Sequence, residues 1–251
     1  PDNSLMLGQR HTHVRIKASQ LTKAIDAIAE PLIVNVNPQT LDEAEDLAQA
    51  IRKHQQKIHS VALPEVVYES QLEPLRHLLS LLTGTQVVIE INSWDTWQLA
   101  REASMPMEAG PGMAVLNASA AETLYRLGCK CVSASQEIDQ EQLQDLCATA
   151  TTPLAITIYS YPKLMITRAL LPDGFRPEDH ARFHDSRNLT LVPETDGTVT
   201  NLRPNIPMDW RNLRNPKIHA ARLIADLSAC NDLSLPKTDK PFLFNYDRRL
   251  R

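Results

Sequence analysis

The feature that most constrains this chain is a rhythm. Short β-rich runs alternate with amphipathic stretches at a spacing of roughly 18 to 28 residues, the length of one strand plus one helix. The runs are THVRIK (12–17), PLIVNVN (31–37), IHSVALP (58–64), TQVVIEIN (85–92), GMAVLN (112–117), CKCVSAS (129–135) and PLAITIY (153–159). Between them, Leu41, Ala44, Leu47, Ala48 and Ile51 recur at helical intervals, as do Leu72, Leu75, Leu79 and Leu82. Thr40 with Glu43 fits a capping box and Asp139 with Gln142 a weaker one, while Gly84 and Gly128 sit where helices should stop. Strand–helix alternation of this kind builds a parallel sheet. No GxGxxG or GxxxxGK marks an open nucleotide-binding sheet. Such a sheet is closed as a barrel or left open and doubly wound; the expected fold is an α/β TIM-type (β/α)8 barrel, complete or else incomplete or distorted.

After Tyr159 the rhythm breaks, which predicts an insertion over about 160–215. Within it LTLVPETDGTVTNLRPN reads as a small antiparallel β-ribbon near 185–205, turning at Asp196-Gly197. The segment 216–229, opened by Pro216, is expected to be a helix, and NDLSL (231–235) an eighth strand. Residues 1–235 then form one barrel domain and 236–251 an extended tail.

Side chains alternate along a strand. If Leu32, Val34, Val36, Ile89, Ile91, Ala114, Leu116, Val132, Ala134, Ile156 and Ile158 face the helices, the other face carries Asn35, Asn37, Glu90, Asn92, Asn117, Ser133, Ser135, Thr157 and Tyr159, with Glu137 just beyond. All lie toward the C-terminal ends of their strands, where a barrel gathers its binding groups. Buried dry, each unmet group would cost ~1–3 kcal/mol. A ligand would satisfy this ring; so would a wet mouth whose groups bond one another. The candidate binding residues are Glu90, Asn92, Asn117, Ser135, Glu137, Tyr159 and Arg168.

A net charge of −4 and a pI near 6.1 give no global basic field for nucleic acid or an anionic membrane. No stretch approaches ~18 uninterrupted apolar residues, and the N-terminus lacks the order of a signal peptide. No membrane partner and a cytoplasmic location are expected. The chain starts at Pro1, which suggests a segment of a longer protein, with the remaining domains of the parent chain as partners. Arg168, Arg203 and the RNLRNPK run leave an anion or RNA as a further partner.

Cys129, Cys131, Cys147 and Cys230 form no CxxC pair. Cys129 and Cys131, two apart on one strand, should point the same way; Cys147 should be core. His180 and His184 have i, i+4 spacing beside Asp179 and Asp185, which favours a solvated loop over a metal pair. His11 and His13 should be exposed. Ser133 and Ser135 near Glu137 and Tyr159 could be drawn into a peptidase scheme, yet no histidine falls at a strand end to act as base. No metal site is expected.

The run MAVLNASAAETLYRLGCKCVSASQEIDQEQLQDL, followed by PLAITIYSYPKLMITR, resembles the peptidase U32 family, the collagenase-like proteases. An Asn-ending strand, a helix closing on Gly, a strand ending in Ser and Glu, and a tyrosine–proline–Leu-Met stretch follow one another. The likeness spans about 12–235 and is strongest over 112–168. It implies a TIM-type barrel, proteolysis by family name, and in some members an iron–sulfur cluster with hydroxylation of RNA or of a quinone precursor. In such members cysteines follow the Leu-Met stretch and recur after the ribbon. Here Ala169, Leu170 and Leu171 follow Arg168, and the ribbon has no cysteine, whereas a cluster needs about four thiolates. The resemblance thus implies a second, degenerate barrel without a cofactor of its own, serving substrate binding or structure. A self-contained peptidase and an accessory domain for RNA binding or modification stand as alternatives.

Overall fold

The computed structural model describes residues 12–169, 171, 173–175, 177, 181–185, 188–195, 198–235 and 242–247. His11, His180 and the Asp196-Gly197 turn lie outside the described residues. The first seven strands are β1 (Thr12–Lys17), β2 (Leu32–Asn35), β3 (Ile58–Ala62), β4 (Val88–Ile91), β5 (Met107–Ala109), β6 (Cys129–Ser133) and β7 (Leu154–Ser160). Then come β8 (Met165–Thr167), β9 (Phe183–His184), β10 (Thr190–Thr195), β11 (Thr200–Pro204), β12 (Met208–Asp209) and β13 (Arg222–Asp226). Strands β1 to β7 and β13 are parallel; β6 pairs with β7, β7 with β13 and β13 with β1, which seals an eight-stranded TIM-type barrel. Strands β8, β11, β10 and β9 make a separate antiparallel sheet.

Each of the first six strands is followed by a helix: α1 (Leu21–Ala27), α2 (Ala44–Lys53), α3 (Glu69–Leu82), α4 (Trp94–Glu102), α5 (Ala118–Arg126) and α6 (Gln140–Thr149). The apolar faces of the helices meet the outward strand residues, so Leu47, Ile51, Leu75, Leu79, Leu143 and Leu146 join Ile16, Val34, Ile89, Ile91, Val132 and Ile156 in one buried core. Gly84 and Gly128 take φ of +82° and +104°, the left-handed turn that ends a helix at little strain for glycine. Among the described residues no helix is long and apolar enough to cross a membrane.

Several expected elements differ. The fifth strand is Met107–Ala109 rather than 112–117, where Pro111–Met113 forms a single 3-10 turn, Ala114 is left-handed, and only Val115 bridges to Ala134. Ala114 and Leu116 are accordingly exposed instead of facing helices. The stretch 216–229 is not a helix. Its centre, RLIAD, is the eighth strand, because Leu223 and Ala225 fill the outer core while Ile224 points inward, and both neighbouring strands need a partner there. NDLSL is a bend running into irregular chain. The first turn after β2 is a 3-10 segment from Pro38 capped by Asn37, so Thr40 is its third residue and not the cap. At Asp139 the expected capping box is present.

Two register slips decide where side chains point. Between β5 and β6, Met107 pairs with Cys129 but Ala109 with Val132, an extra residue on β6 that breaks its alternation. Cys129 therefore packs in the outer core and Cys131 inside the barrel with Ile33, Ala62, Ala155 and Ile224, not on one side as expected. Between β7 and β13, Thr157 pairs with Ile224 and Tyr159 with Ala225. That slip turns Tyr159 outward.

After β13 the described part of the chain turns back on itself. Phe244 and Tyr246 are buried, Trp210 donates to the Leu243 carbonyl at 3.0 Å, and Asn215 donates to the Tyr246 hydroxyl at 2.8 Å.

Candidate functional site

The interior of the barrel is charged. Arg15, on the inward face of β1, donates from Nη1 and Nη2 to the two carboxylate oxygens of Glu90 at 2.7 and 2.6 Å, and from Nη1 to Asn35 Oδ1 at 2.9 Å. Its Nε lies 3.8 Å from Asp226. Arg15 and Glu90 are 3% and 1% exposed, so this is a fully desolvated bidentate pair. Burial alone would lower the arginine pKa; the Glu90 charge and hydrogen bonds outweigh that and raise it. Asn92, one step beyond β4, donates from Nδ2 to the Leu63 carbonyl at 3.0 Å and to Glu90 Oε1 at 3.1 Å, and accepts from Gly112 N–H at 3.1 Å. The loop after β5 can lie this close only because positions 110 and 112 lack Cβ. A Cβ on Gly110 would stand 2.2 Å from Asn92 Oδ1 and 2.4 Å from Glu90 Oε1.

Above this floor opens a cavity of about 500 Å3. Its barrel wall includes Arg15, Lys17, Asn35, Asn37, Glu65, Asn92, Ser135, Glu137 and Asp226; the wall opposite is the small sheet, with Ile166, Glu194, Val199, Asn201 and Arg203. Lys17 donates to Glu194 Oε1 at 2.6 Å, and Arg203 to Glu194 Oε2 at 3.0 Å and to the Tyr161 carbonyl. Lys163 and Glu65 pair at 2.9 Å. Burial would raise the Glu194 pKa, but the Lys17 hydrogen bond and the Arg203 charge lower it.

Of the seven candidate residues, Asn92, Ser135 and Glu137 line the cavity, and Glu90 anchors its floor. Ser135 Oγ accepts from Glu137 N–H at 3.2 Å. The other three are elsewhere. Asn117 is the N-cap of α5, accepting from Ala120 N–H at 2.9 Å, and is exposed. Tyr159 is wholly buried in the outer core with Met208 and Trp210, with Arg211 4.9 Å from the centre of its ring. Burial raises its pKa. Arg168 is exposed and stacks on the Tyr68 ring at 4.5 Å. A polar residue at a strand end is thus a helix cap as readily as a rim group.

Sequence reasoning missed Arg15, Lys17, Glu65, Lys163 and Glu194. The signal for the first two was present: in HVRIK the alternation puts Arg15 and Lys17 on one inward face.

A second charged cluster sits toward the N-terminal end of the barrel. Glu108 accepts from Arg222 Nη1 at 2.6 Å and bonds His59 Nε2 at 3.2 Å, and the rings of His13 and His59 meet edge to face at 4.7 Å. Burial would raise the Glu108 carboxyl; the His59 hydrogen bond and the Arg222 charge hold it down at about 2. His13, expected to be exposed, is half-buried. His184 is exposed near Thr190.

The cysteines do not fit an iron–sulfur cluster. Cys129 and Cys131 face opposite sides of β6, Cys147 donates to the His219 carbonyl at 3.2 Å from α6, and Cys230 follows β13. Burial pushes the thiols of Cys129, Cys131 and Cys230 up to about 12, 11 and 11, against the thiolate character a cluster requires. Among the described residues no group of three or more His, Cys, Asp or Glu is placed to hold a metal ion.

No family model matches the sequence, and no curated protein does. Several solved structures match it, among them two of low identity. One is a racemase from Streptomyces coelicolor A3(2) with bound magnesium, 12% identical with a TM-score of 0.41, matching 58% of this chain and 49% of that one. The chain thus spans about half the length of the racemase. The other is the U32 peptidase Mk0906, 15% identical with a TM-score of 0.41, matching 64% of this chain and 72% of that one.

Proposed function

We propose that this chain is a U32-type barrel that binds and positions a small polar molecule at its mouth, with any reactive chemistry left to the remaining domains of a parent chain. The helix closing on Gly128, the strand running into Ser133 and Ser135, the Leu164-Met165 stretch and the barrel fold support the family; the cavity supports the binding role.

The observation that carries the reading is that each described cation lining the cavity already has its carboxylate. Arg15 holds Glu90, Lys17 and Arg203 share Glu194, and Lys163 holds Glu65, all at 2.6–3.0 Å. An incoming anion would have to displace a carboxylate from one of them. Glu137, exposed on the rim, stands outside these pairs. The ligand is therefore neutral, or carries an ammonium group set against Glu137, with Ser135, Asn35 and Tyr161 supplying hydrogen bonds.

Proteolysis and RNA binding find less support. Among the described residues no histidine bonds Ser133 or Ser135. Of the basic residues that suggested RNA, Arg203 is tied to Glu194 and Arg211 to Asp209 at 2.6 Å.

Calorimetric titration with glucosamine, spermidine, glucose, citrate and inorganic phosphate tests the reading at one ionic strength. It expects a saturable heat from an amine or a neutral sugar, with Glu137→Gln weakening the amines about five-fold, the strength of an exposed ion pair. Tighter binding of citrate or phosphate contradicts it, as does silence from every probe. Cleavage of gelatin or casein by the purified chain would remove the non-catalytic part.

A further inference from the structure

The small sheet forms one wall of the mouth without being part of the barrel. Among the described residues none of its strands pairs with a barrel strand. Its buried Leu191 and Val199 belong to neither core cluster of the barrel. Where the two layers face each other lies the cavity, lined from the sheet by Ile166, Glu194, Val199, Asn201 and Arg203.

The sheet is attached by a narrow neck. The chain leaves the barrel after Ser160 and returns at Met208, and these two residues are paired, with Tyr159 opposite Asp209, so both ends emerge side by side from one antiparallel stem. Beyond the neck the sheet has its own continuous ladder, five register pairs from Leu191–Pro204 to Thr195–Thr200, which makes it a stiff body. Polar contacts hold it to the barrel rim. Lys17 of β1 reaches Glu194 of β10 at 2.6 Å; Lys163, just before β8, reaches Glu65 at 2.9 Å; Gln71 of α3 donates to Thr198 at 3.5 Å. The four ion-pair side chains are 28–41% exposed, which places them among the weak, salt-screened surface pairs. A stiff sheet on a narrow stem, facing the core across a cavity and held by two screened ion pairs, the Gln71–Thr198 contact and the stacking of Arg168 on Tyr68, is built to move as a unit.

We propose that the β8–β11 sheet is a lid, latched over the barrel mouth by the Lys17–Glu194 and Lys163–Glu65 pairs, and that it swings on the β7–β12 stem to admit the ligand. Arg203 braces the latch: it holds Glu194 from behind while bonding the Tyr161 carbonyl at the neck. The lid builds on the mouth being the binding site, but its opening can be read without any ligand.

The test is thiol labelling inside the mouth. Ser135 lines the cavity and is 8% exposed, and Ser135→Cys places one reporter there among native cysteines that are buried or half-buried, with the thiol pKa raised at Cys129, Cys131 and Cys230. An uncharged alkylating reagent, with the modified peptide followed by mass spectrometry, gives the opening rate. At about 20 mM salt labelling should be slow, and about 1 M salt should speed it at least ten-fold, since the Debye length falls several-fold over that range. Lys17→Met combined with Lys163→Met should do the same at low salt. Exchanging the second pair, Glu65→Lys with Lys163→Glu, should restore slow labelling. A rate indifferent to salt and to both latch variants overturns the lid. So does a rate that rises only in step with amide exchange of β2 to β4, since that is unfolding of the barrel.

Discussion

Glu90 on an inward-facing strand position makes sense once Arg15 is seen beneath the mouth. A lone carboxylate at 1% exposure would be prohibitively desolvated; fork-to-fork pairing with Arg15 and a further bond from Asn92 neutralise it. Removing one partner should therefore be far worse than removing both. Arg15→Met is expected to cost about 3–5 kcal/mol in urea unfolding, and Arg15→Met with Glu90→Leu to recover most of it; equal losses would deny the pair its desolvated character. Glu108 makes a pH prediction. Its folded pKa of about 2 lies below the ordinary 4.5, so its contribution is complete above about pH 4.5 and is lost as pH falls towards 2. The unfolding midpoint should drop across that window, and Glu108→Gln should flatten the drop. Alternation alone revealed Glu90 and Asn92, since no register slip interrupts the pairing of β4 with its neighbours. It misjudged Asn117, because nothing in the sequence separates a rim amide from a helix cap until the following helix start is fixed.

At the scale of elements, the errors share a cause. Cys131 and Tyr159 each follow a register slip, and one extra residue in a strand reverses every later side chain. The β5 strand escaped notice because three residues, one of them Glu108, carry too little pattern, whereas GMAVLN has the stronger β character and is a turn. The segment around RLIAD reads as helix by composition and becomes strand because the ring needs an eighth member, a case of tertiary pairing overriding local propensity. Its amides should accordingly exchange as slowly as those of β2, bounded as they are by β7 and β1. Fast exchange at 222–226 would reopen the barrel. The loop after β5 is fixed by glycine: Gly110→Ala should destabilise by about 1–3 kcal/mol, as overpacking against Asn92 and Glu90 does. A neutral result there would mean that the loop does not lie over the floor.

For the molecule as a whole, the barrel was legible in the sequence because repetition at a fixed spacing survives local mistakes, and the inserted ribbon because its turn residues interrupt that repetition. What the ribbon does was not legible. The contacts that bring it to the mouth join Lys17 to Glu194 and Glu65 to Lys163, residues 177 and 98 positions apart, and no local pattern encodes such pairs. The function proposed here depends on that meeting of barrel rim and inserted sheet around one cavity. Amide chemical-shift mapping during titration with glucosamine tests it most directly. Shifts are expected to concentrate at Asn35, Asn92, Gly112, Ser135 and Glu137, with β10 and β11 responding across the cavity. Shifts that avoid this set, or that gather on the outer helices, would contradict it.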